Sequence, residues 1–403
     1  MIALGRRSIK YLMLRYCLLF LPVLLSSCGS HDSNNTESKT DSSSTSQPGT
    51  PPRGDYYKRY SGTIAGKQVV AQLHCLDGRL HGSYQYSTIG QVIGLRPWMD
   101  TAEDDEYVLS ETAPGGQDEG AAWTIRIKPD GATGAWRNHD AAQEFPVRLA
   151  ETYPAGSVAL DAFYIRDSVI LLPQKPHSPK ALSTYSYLLP KGKSEGFLFE
   201  ALRRQLVPGS AGADVATAIR AANDDYFESY RKENAALLKD PDGDVFSFDY
   251  SNDVSVSVLY NDQYWLVTEL FTASYTGGAH GNYGTSYANI DLQEGRVWTA
   301  SDIIIDTNAI RPMLNDAAIN YFRPKPGQEM SQRLLVDEVP ATANVYLSAT
   351  GLSFVYNPYE IASYAAGQIS LFLPYKKLMP FLTPAFKARM HLTERAGIAM
   401  LSY

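Results

Sequence analysis

The chain has little cysteine, and where the three cysteines fall excludes a disulfide framework. Cys17 and Cys28 lie near the N-terminus, which leaves Cys75 alone in the body of the 403 residues. One thiol cannot close an intramolecular bridge, whatever the redox compartment. Long hydrophobic runs are also missing. The apolar run Cys17–Leu25 spans nine residues and contains Pro22, against roughly 20 needed to cross a bilayer as a helix. Basic charge is short: 36 Lys and Arg stand against 43 Asp and Glu, for a net −7. That balance disfavours nucleic acid and anionic lipid headgroups and favours a cationic partner. Catalytic signatures are lacking too. There is no His-Glu-x-x-His, Cys-x-x-Cys, Gly-x-Ser-x-Gly, P-loop or dinucleotide fingerprint, so no catalytic residue, metal site or cofactor is assigned.

What is present begins with an address. Arg6, Arg7, Lys10 and Arg15 precede the short apolar run, which ends in Leu25-Ser26-Ser27-Cys28. A basic segment, a short apolar segment and small residues before a cut describe a secretory signal peptide over residues 1–27. The cysteine at the cut resembles a bacterial lipobox, in which the thiol is acylated and becomes the first residue of the mature chain. Cys28 is therefore the expected lipidation site, and the lipid the expected membrane anchor. The expected location is the cell envelope, at the outer membrane of a Gram-negative bacterium. The n-region is long, and Met13 would make a more typical start. Removing residues 1–27 takes away four basic and no acidic side chains, which moves the net charge from −7 to −11.

Residues 28–54 are Ser, Thr, Asn, Asp, Gly and Pro with little to bury, and read as a disordered tether. A coil of that length reaches on the order of 25–30 Å. Residues 55–152 show short alternating runs between turn signals: Lys67–Cys75, Leu80–Tyr86, Glu106–Glu111, Trp123–Ile127 and Phe145–Leu149, with turns at Asp77-Gly78 and Asp130-Gly131. This spacing predicts an all-β sandwich or small barrel. Tyr84, Tyr86 and Trp136 follow Gly82 and Gly134 at strand period and are expected to pack across strands. Cys75 shares a strand face with Val69, Ala71 and Leu73, and reads as a small buried hydrophobe, not a reactive thiol. The acidic loop Glu103–Glu106 reads as solvated, with a cation or basic-partner site as the alternative.

Residues 158–390 change character. Helical spacing covers 195–207, 213–238 and 308–322, and a short helix is expected at 376–382. Strand alternation covers 244–250, then Val254–Tyr260 and Tyr264–Tyr275 as a hairpin about Asn261-Asp262-Gln263. Further strands follow at 285–292, 345–349, 352–356 and 368–373. Helices and strands without strict alternation predict an α+β fold, with helices packed on an antiparallel sheet. His74 and His81 lie in the β-rich part and lack a nearby carboxylate at ligand spacing. Asp240-Pro241-Asp242-Gly243-Asp244 places its glycine too early for a calcium loop and reads as a tight turn.

Two constellations stand out. In Tyr275-Thr276-Gly277-Gly278-Ala279-His280-Gly281 three glycines free the backbone between two strands and hold His280 at a hairpin tip. In Asn357–Gly367 a loop between strands carries Tyr359, Glu360 and Tyr364. Tyr275, Gly277, Gly278, His280, Tyr359, Glu360 and Tyr364 are therefore the candidate binding residues. Together with Asn289-Ile290-Asp291-Leu292 and Gly295, these motifs resemble the extracytoplasmic domain of lysozyme-sensing anti-sigma factors of the RsiV type. The same domain accompanies the catalytic module of peptidoglycan deacetylases of the PdaC type. The resemblance covers roughly residues 160–385 and implies an α+β domain that binds a protein or a glycan. This chain lacks both the sensors' transmembrane helix with its sigma-binding segment and the deacetylases' metal-dependent catalytic motifs. The resemblance thus implies a lipid-anchored, non-catalytic envelope protein that captures a muramidase such as lysozyme, or peptidoglycan. Two alternatives come from other classes. One is an envelope glycan hydrolase or deacetylase-like enzyme with His280 and Glu360 as an acid/base pair; the other is a structural or adhesin-like surface lipoprotein.

Overall fold

Residues that alternate apolar and polar must be paired edge to edge, and in the N-terminal part the pairing closes on itself. The computed structural model describes residues 54–98, 106–112, 120–209, 214–239, 249–324 and 327–393. The signal segment, Cys28 and the tether lie outside the described residues. So do residues 103–105 of the acidic loop and the segment 240–248. Eight antiparallel strands form the closed barrel: β1 (Tyr56–Ile64), β2 (Lys67–Leu76), β3 (Arg79–Tyr86), β4 (Ile93–Pro97), β5 (Glu106–Thr112), β6 (Ala122–Lys128), β7 (Gly131–Arg137) and β8 (Glu144–Glu151). Pairing of β1 with β8 removes the sheet edges, so the expected sandwich or barrel is a barrel.

Its interior is filled by Tyr60, Leu73, Leu80, Leu109, Trp123 and Ile125, all essentially inaccessible. Cys75 is buried among them. The Asp77-Gly78 turn holds both residues at positive φ, 50° and 75°, as a two-residue hairpin of matching twist requires. Gly134 sits where a Cβ would lie 1.9 Å from the Thr124 carbonyl oxygen on the neighbouring strand. At one carboxylate the aromatics of the glycine motifs converge. Glu111 Oε1 accepts from the Tyr84 hydroxyl (2.5 Å), Trp123 Nε1 (2.9 Å) and Trp136 Nε1 (2.7 Å), which ties together β3, β5, β6 and β7.

The second half is built on a six-stranded sheet. Its strands and helices in chain order are β9 (Leu160–Ile170), β10 (Lys180–Pro190), α1 (Phe197–Leu206), α2 (Val215–Glu233), α3 (Ala235–Lys239), β11 (Tyr250–Asp262), β12 (Trp265–Tyr275), β13 (Asn282–Asp291) and β14 (Arg296–Trp298). The sheet order is β14-β13-β12-β11-β10-β9, and only β10 and β11 run parallel, joined through the helices. There follow α4 (Ala300–Ile303), α5 (Arg311–Phe322), β15 (Val345–Leu347), β16 (Gly351–Tyr356), β17 (Ile369–Pro374), α6 (Tyr375–Leu378) and α7 (Pro384–Arg389). Strands β15–β17 form a separate three-stranded sheet. The fold is α+β. One face of the large sheet, with Val256, Val258, Leu266 and Ile290, packs on Leu202, Leu206 and Ile219 of α1 and α2. A second core joins Trp265, Trp298, Phe386, Phe354 and Leu371. Arg389 clamps α7 to that core: its Nε lies 2.7 Å from Asp291 Oδ2, and its guanidinium stacks 4.6 Å from the Trp265 ring centroid.

Several expectations change. The helix expected over 213–238 stops at Asn234, whose side chain donates to the Tyr230 carbonyl at 2.8 Å and ends the ladder before α3. The hairpin turn is not Asn261-Asp262-Gln263 but Gln263-Tyr264, with φ of 53° and 64°. A register shift between Val258 and Tyr260 moves it one step on. The long hairpin β9–β10 and helix α7 are absent from the sequence reading. Strand β11 starts at Tyr250, and residues 244–248 lie outside the described residues.

Freed from the turn, Asn261 becomes buried and joins the halves. Its side chain donates to the Tyr57 hydroxyl (2.9 Å) and the Val158 carbonyl (2.7 Å), and accepts from the Val158 N–H (2.9 Å). Arg59, 2% exposed, donates to the Asn261 carbonyl at 2.8 Å and pairs with Asp262 at 2.6 Å. His74 and His81 belong to the same seam. They are cross-strand partners with stacked rings 5.4 Å apart, and His74 Nε2 accepts from the Val258 N–H at 3.2 Å. Burial holds both imidazoles below their ordinary pKa, His74 well below it.

Candidate binding site

The connection between β12 and β13 is short and glycine-rich, and its backbone needs that freedom. Gly277 and Gly278 take φ of 97° and 92°, where a side chain would be strained. The Tyr275 hydroxyl donates to the Gly278 carbonyl at 3.0 Å and pins the loop. His280 is then exposed at the tip. Its Nδ1 lies 2.9 Å from the Gly281 carbonyl oxygen, which can only accept, so Nδ1 donates.

The second loop runs from β16 to β17 and is tied to the first. Beyond β14, strand β13 has a free edge at Thr285, and the side chain of Asn357 fills it in place of a strand. Its Oδ1 accepts from the Thr285 N–H at 2.8 Å and its Nδ2 donates to the Thr285 carbonyl at 3.2 Å. Ile361 and Ala362 are buried and anchor the middle of the loop. Tyr359 takes a left-handed φ of 72° and stands 56% exposed. Tyr364 lies under His280. The two rings stack with centroids 4.0 Å apart at 21°, and the Tyr364 hydroxyl donates to the Gly281 carbonyl at 2.8 Å. Tyr359 adds a ring 5.7 Å from Tyr364, with its hydroxyl 3.5 Å from His280 Nε2.

Tertiary structure therefore brings the two constellations together, although 79 residues separate Tyr359 from His280. Glu360 does not join them. Its carboxylate turns back to accept from the Asn357 N–H at 3.1 Å, and the His280 imidazole is engaged by Gly281 and Tyr359 instead. Gly277 and Gly278 shape the loop and present no side chain.

Sequence reasoning missed the inner part. Tyr283 meets Tyr364 edge to face at 5.7 Å. The Gln368 side-chain amide donates to the Tyr287 hydroxyl at 3.1 Å and also bonds the Thr285 hydroxyl. Tyr287 in turn donates to Glu269 Oε2 at 2.8 Å. Burial raises the Glu269 carboxyl above its ordinary pKa, and the bond from Tyr287 only partly opposes this. The available signal was period two: Tyr283, Thr285 and Tyr287 alternate on β13, and Glu269 is a lone acid in an otherwise apolar stretch of β12. Among the described residues, no group of three or more His, Cys, Asp or Glu side chains is placed to hold a metal. No described helix is long and apolar enough to cross a membrane.

Comparison with known proteins bears on this surface. Residues 301–376 match a family described as "Protein of unknown function (DUF3298)". That segment carries Tyr359, Glu360 and Tyr364, but not the loop of Tyr275 and His280. A crystal structure of a DUF3298 family member from Bacteroides fragilis is similar over 59% of this chain and 98% of its own, with 20% identity and a TM-score of 0.53. A DUF3298 family protein from Pseudomonas aeruginosa matches over 58% of this chain and 98% of its own, with 18% identity and a TM-score of 0.42. The first likeness extends the shared fold well beyond residues 301–376. No curated protein matches the chain.

Proposed function

We propose that this chain is a lipid-anchored, non-catalytic binding protein of the cell envelope. In this reading it captures a muramidase or a peptidoglycan-type glycan at the surface of His280, Tyr359 and Tyr364. The observation that carries the reading is the exposed stack of His280 on Tyr364 at 4.0 Å, with Tyr359 beside it. Aromatic faces with hydroxyl edges suit sugar rings and protein hot spots alike. The resemblance of both loops to the extracytoplasmic domains named above supports an envelope ligand. An acidic chain of net −7 favours a cationic protein among the two ligand classes. Cys28 supplies the anchor, so capture at the membrane surface replaces signalling through a membrane helix. An acid/base role for the pair His280 and Glu360 gains no support from geometry in which each is held by other partners.

The test uses the full-length chain, incubated with lysozyme for pull-down and with purified peptidoglycan for co-sedimentation. Recovery with one of them, lost in His280→Ala and Tyr364→Ala, is the expected result. Recovery with neither overturns the reading.

A further inference from the structure

Behind the aromatic surface lies a carboxylate with no counter-charge. Glu269 sits on β12 directly across from Tyr287 on β13, and among the described residues that phenol is its one hydrogen-bond partner, on Oε2. The second oxygen takes no hydrogen bond from any of the described residues. Among the described residues no basic side chain pairs with it. Its residue is only partly exposed, and the carboxylate itself lies recessed and largely surrounded by protein. A carboxylate in such a place is costly unless something pairs with it.

The surroundings indicate what could pair. Thr285, Tyr287 and Gln368 present hydroxyl and amide groups joined in one hydrogen-bonded chain. The Tyr346 ring stands 4.8 Å from that of Tyr287. Tyr283 lies two residues before Thr285 on β13 and abuts Tyr364 at the outer surface. A route of polar and aromatic groups thus leads from an exposed stacking platform to a recessed anionic end. Stacking faces and hydroxyl-amide edges suit a sugar, and the open carboxylate oxygen suits a cation.

We propose that Glu269, with Thr285, Tyr287 and Gln368, forms an inner subsite for the ammonium group of an unacetylated amino sugar, while the rest of the glycan stacks on His280 and Tyr364. This rests on the glycan arm of the proposed function and names the chemistry within it. The acetylated sugar would bury a neutral amide against the carboxylate and forgo the charge-assisted bond.

Isothermal titration of the full-length chain tests it, with tetramers of glucosamine and of N-acetylglucosamine and a lysine-containing peptide as probes. The wild-type chain is expected to bind the glucosamine tetramer about tenfold tighter than the acetylated one, the scale of one charge-assisted hydrogen bond. Glu269→Gln should abolish that preference, and Tyr364→Ala should weaken both tetramers. Equal affinity of the wild-type chain for both tetramers overturns the role of Glu269 and leaves the glycan reading standing; this comparison needs no variant to fold. A preference that survives in folded Glu269→Gln overturns it as well. Binding of neither tetramer removes the glycan reading itself, and binding of the lysine peptide alone assigns the carboxylate to a protein ligand instead.

Discussion

Glu111 in the barrel and Glu269 in the large sheet are both carboxylates set among aromatic rings, and the fold treats them in opposite ways. Glu111 receives three donors on one oxygen, from Tyr84, Trp123 and Trp136. Each of those rings lies on a different strand, so the carboxylate works as a tie between strands. Glu269 receives one phenol, on one of its oxygens. A carboxylate that gathers three donors braces the strands that carry them; one that holds a single donor does less for the fold.

The largest expected effect breaks the tie in the barrel. Glu111→Leu leaves two indole N–H groups and a hydroxyl without their acceptor. At about 1.5–3 kcal/mol for a bond to a charged group, the loss should reach about 3 kcal/mol or more. A denaturant midpoint measured against the wild-type chain checks it, and an unchanged midpoint would show that Glu111 is no tie.

The seam between the halves comes next, and it should respond to acid. His74 and His81 have folded pKa values below the ordinary 6.5. Below pH 6.5 the unfolded chain therefore binds protons that the folded one refuses, and stability must fall as pH falls. The stabilisation is fully present above that pH and declines below it. Thermal unfolding followed from pH 8 to pH 5 should show the decline, and His81→Phe, which keeps a ring against His74, should make it shallower.

The smallest effect is expected at Glu269. Glu269→Gln preserves an acceptor for Tyr287 and should change stability at neutral pH by less than about 1 kcal/mol. The sign of its pH dependence is the sharper observation. The folded carboxyl titrates above its ordinary 4.5, so the wild-type chain pays a growing penalty as pH rises from there. The stability difference should move in favour of the glutamine variant over that range. A large loss instead would place Glu269 with Glu111, as a structural tie.

Much of the fold was legible because strand alternation and helical spacing are local. Val254, Val256 and Val258 announced a half-buried strand, and of the stripe Ile310, Met313, Leu314, Ala317 and Tyr321 that the spacing predicts, Ile310 and Leu314 are fully buried and the others partly so. The hairpin turn was misplaced because a bulge at Leu259 shifts the register, and one extra residue leaves no mark on composition. Strand β9 was missed since its exposed positions blur the alternation, and β10 since its second half is buried on both faces and does not alternate. Of the candidate site, the outer residues were legible as glycine-rich and tyrosine-bearing loops. That Asn357 would pair with the backbone of Thr285, and so bring Tyr364 beneath His280, was not.

By itself the sequence determined most of the segments that pair as strands or wind as helices, that no disulfide could brace the body of the chain, and that His280 and Tyr364 would sit on loops. These follow from periodicity, composition and the conformational freedom of glycine, all of which act over a few residues. Tertiary structure alone decided that β1 meets β8 to close a barrel, that Asn261 joins the halves, and that one glutamate is tied while the other is left open. Those outcomes depend on which distant donors arrive beside a given acceptor, and a hydrogen bond forms only where folding brings the two within about 3 Å.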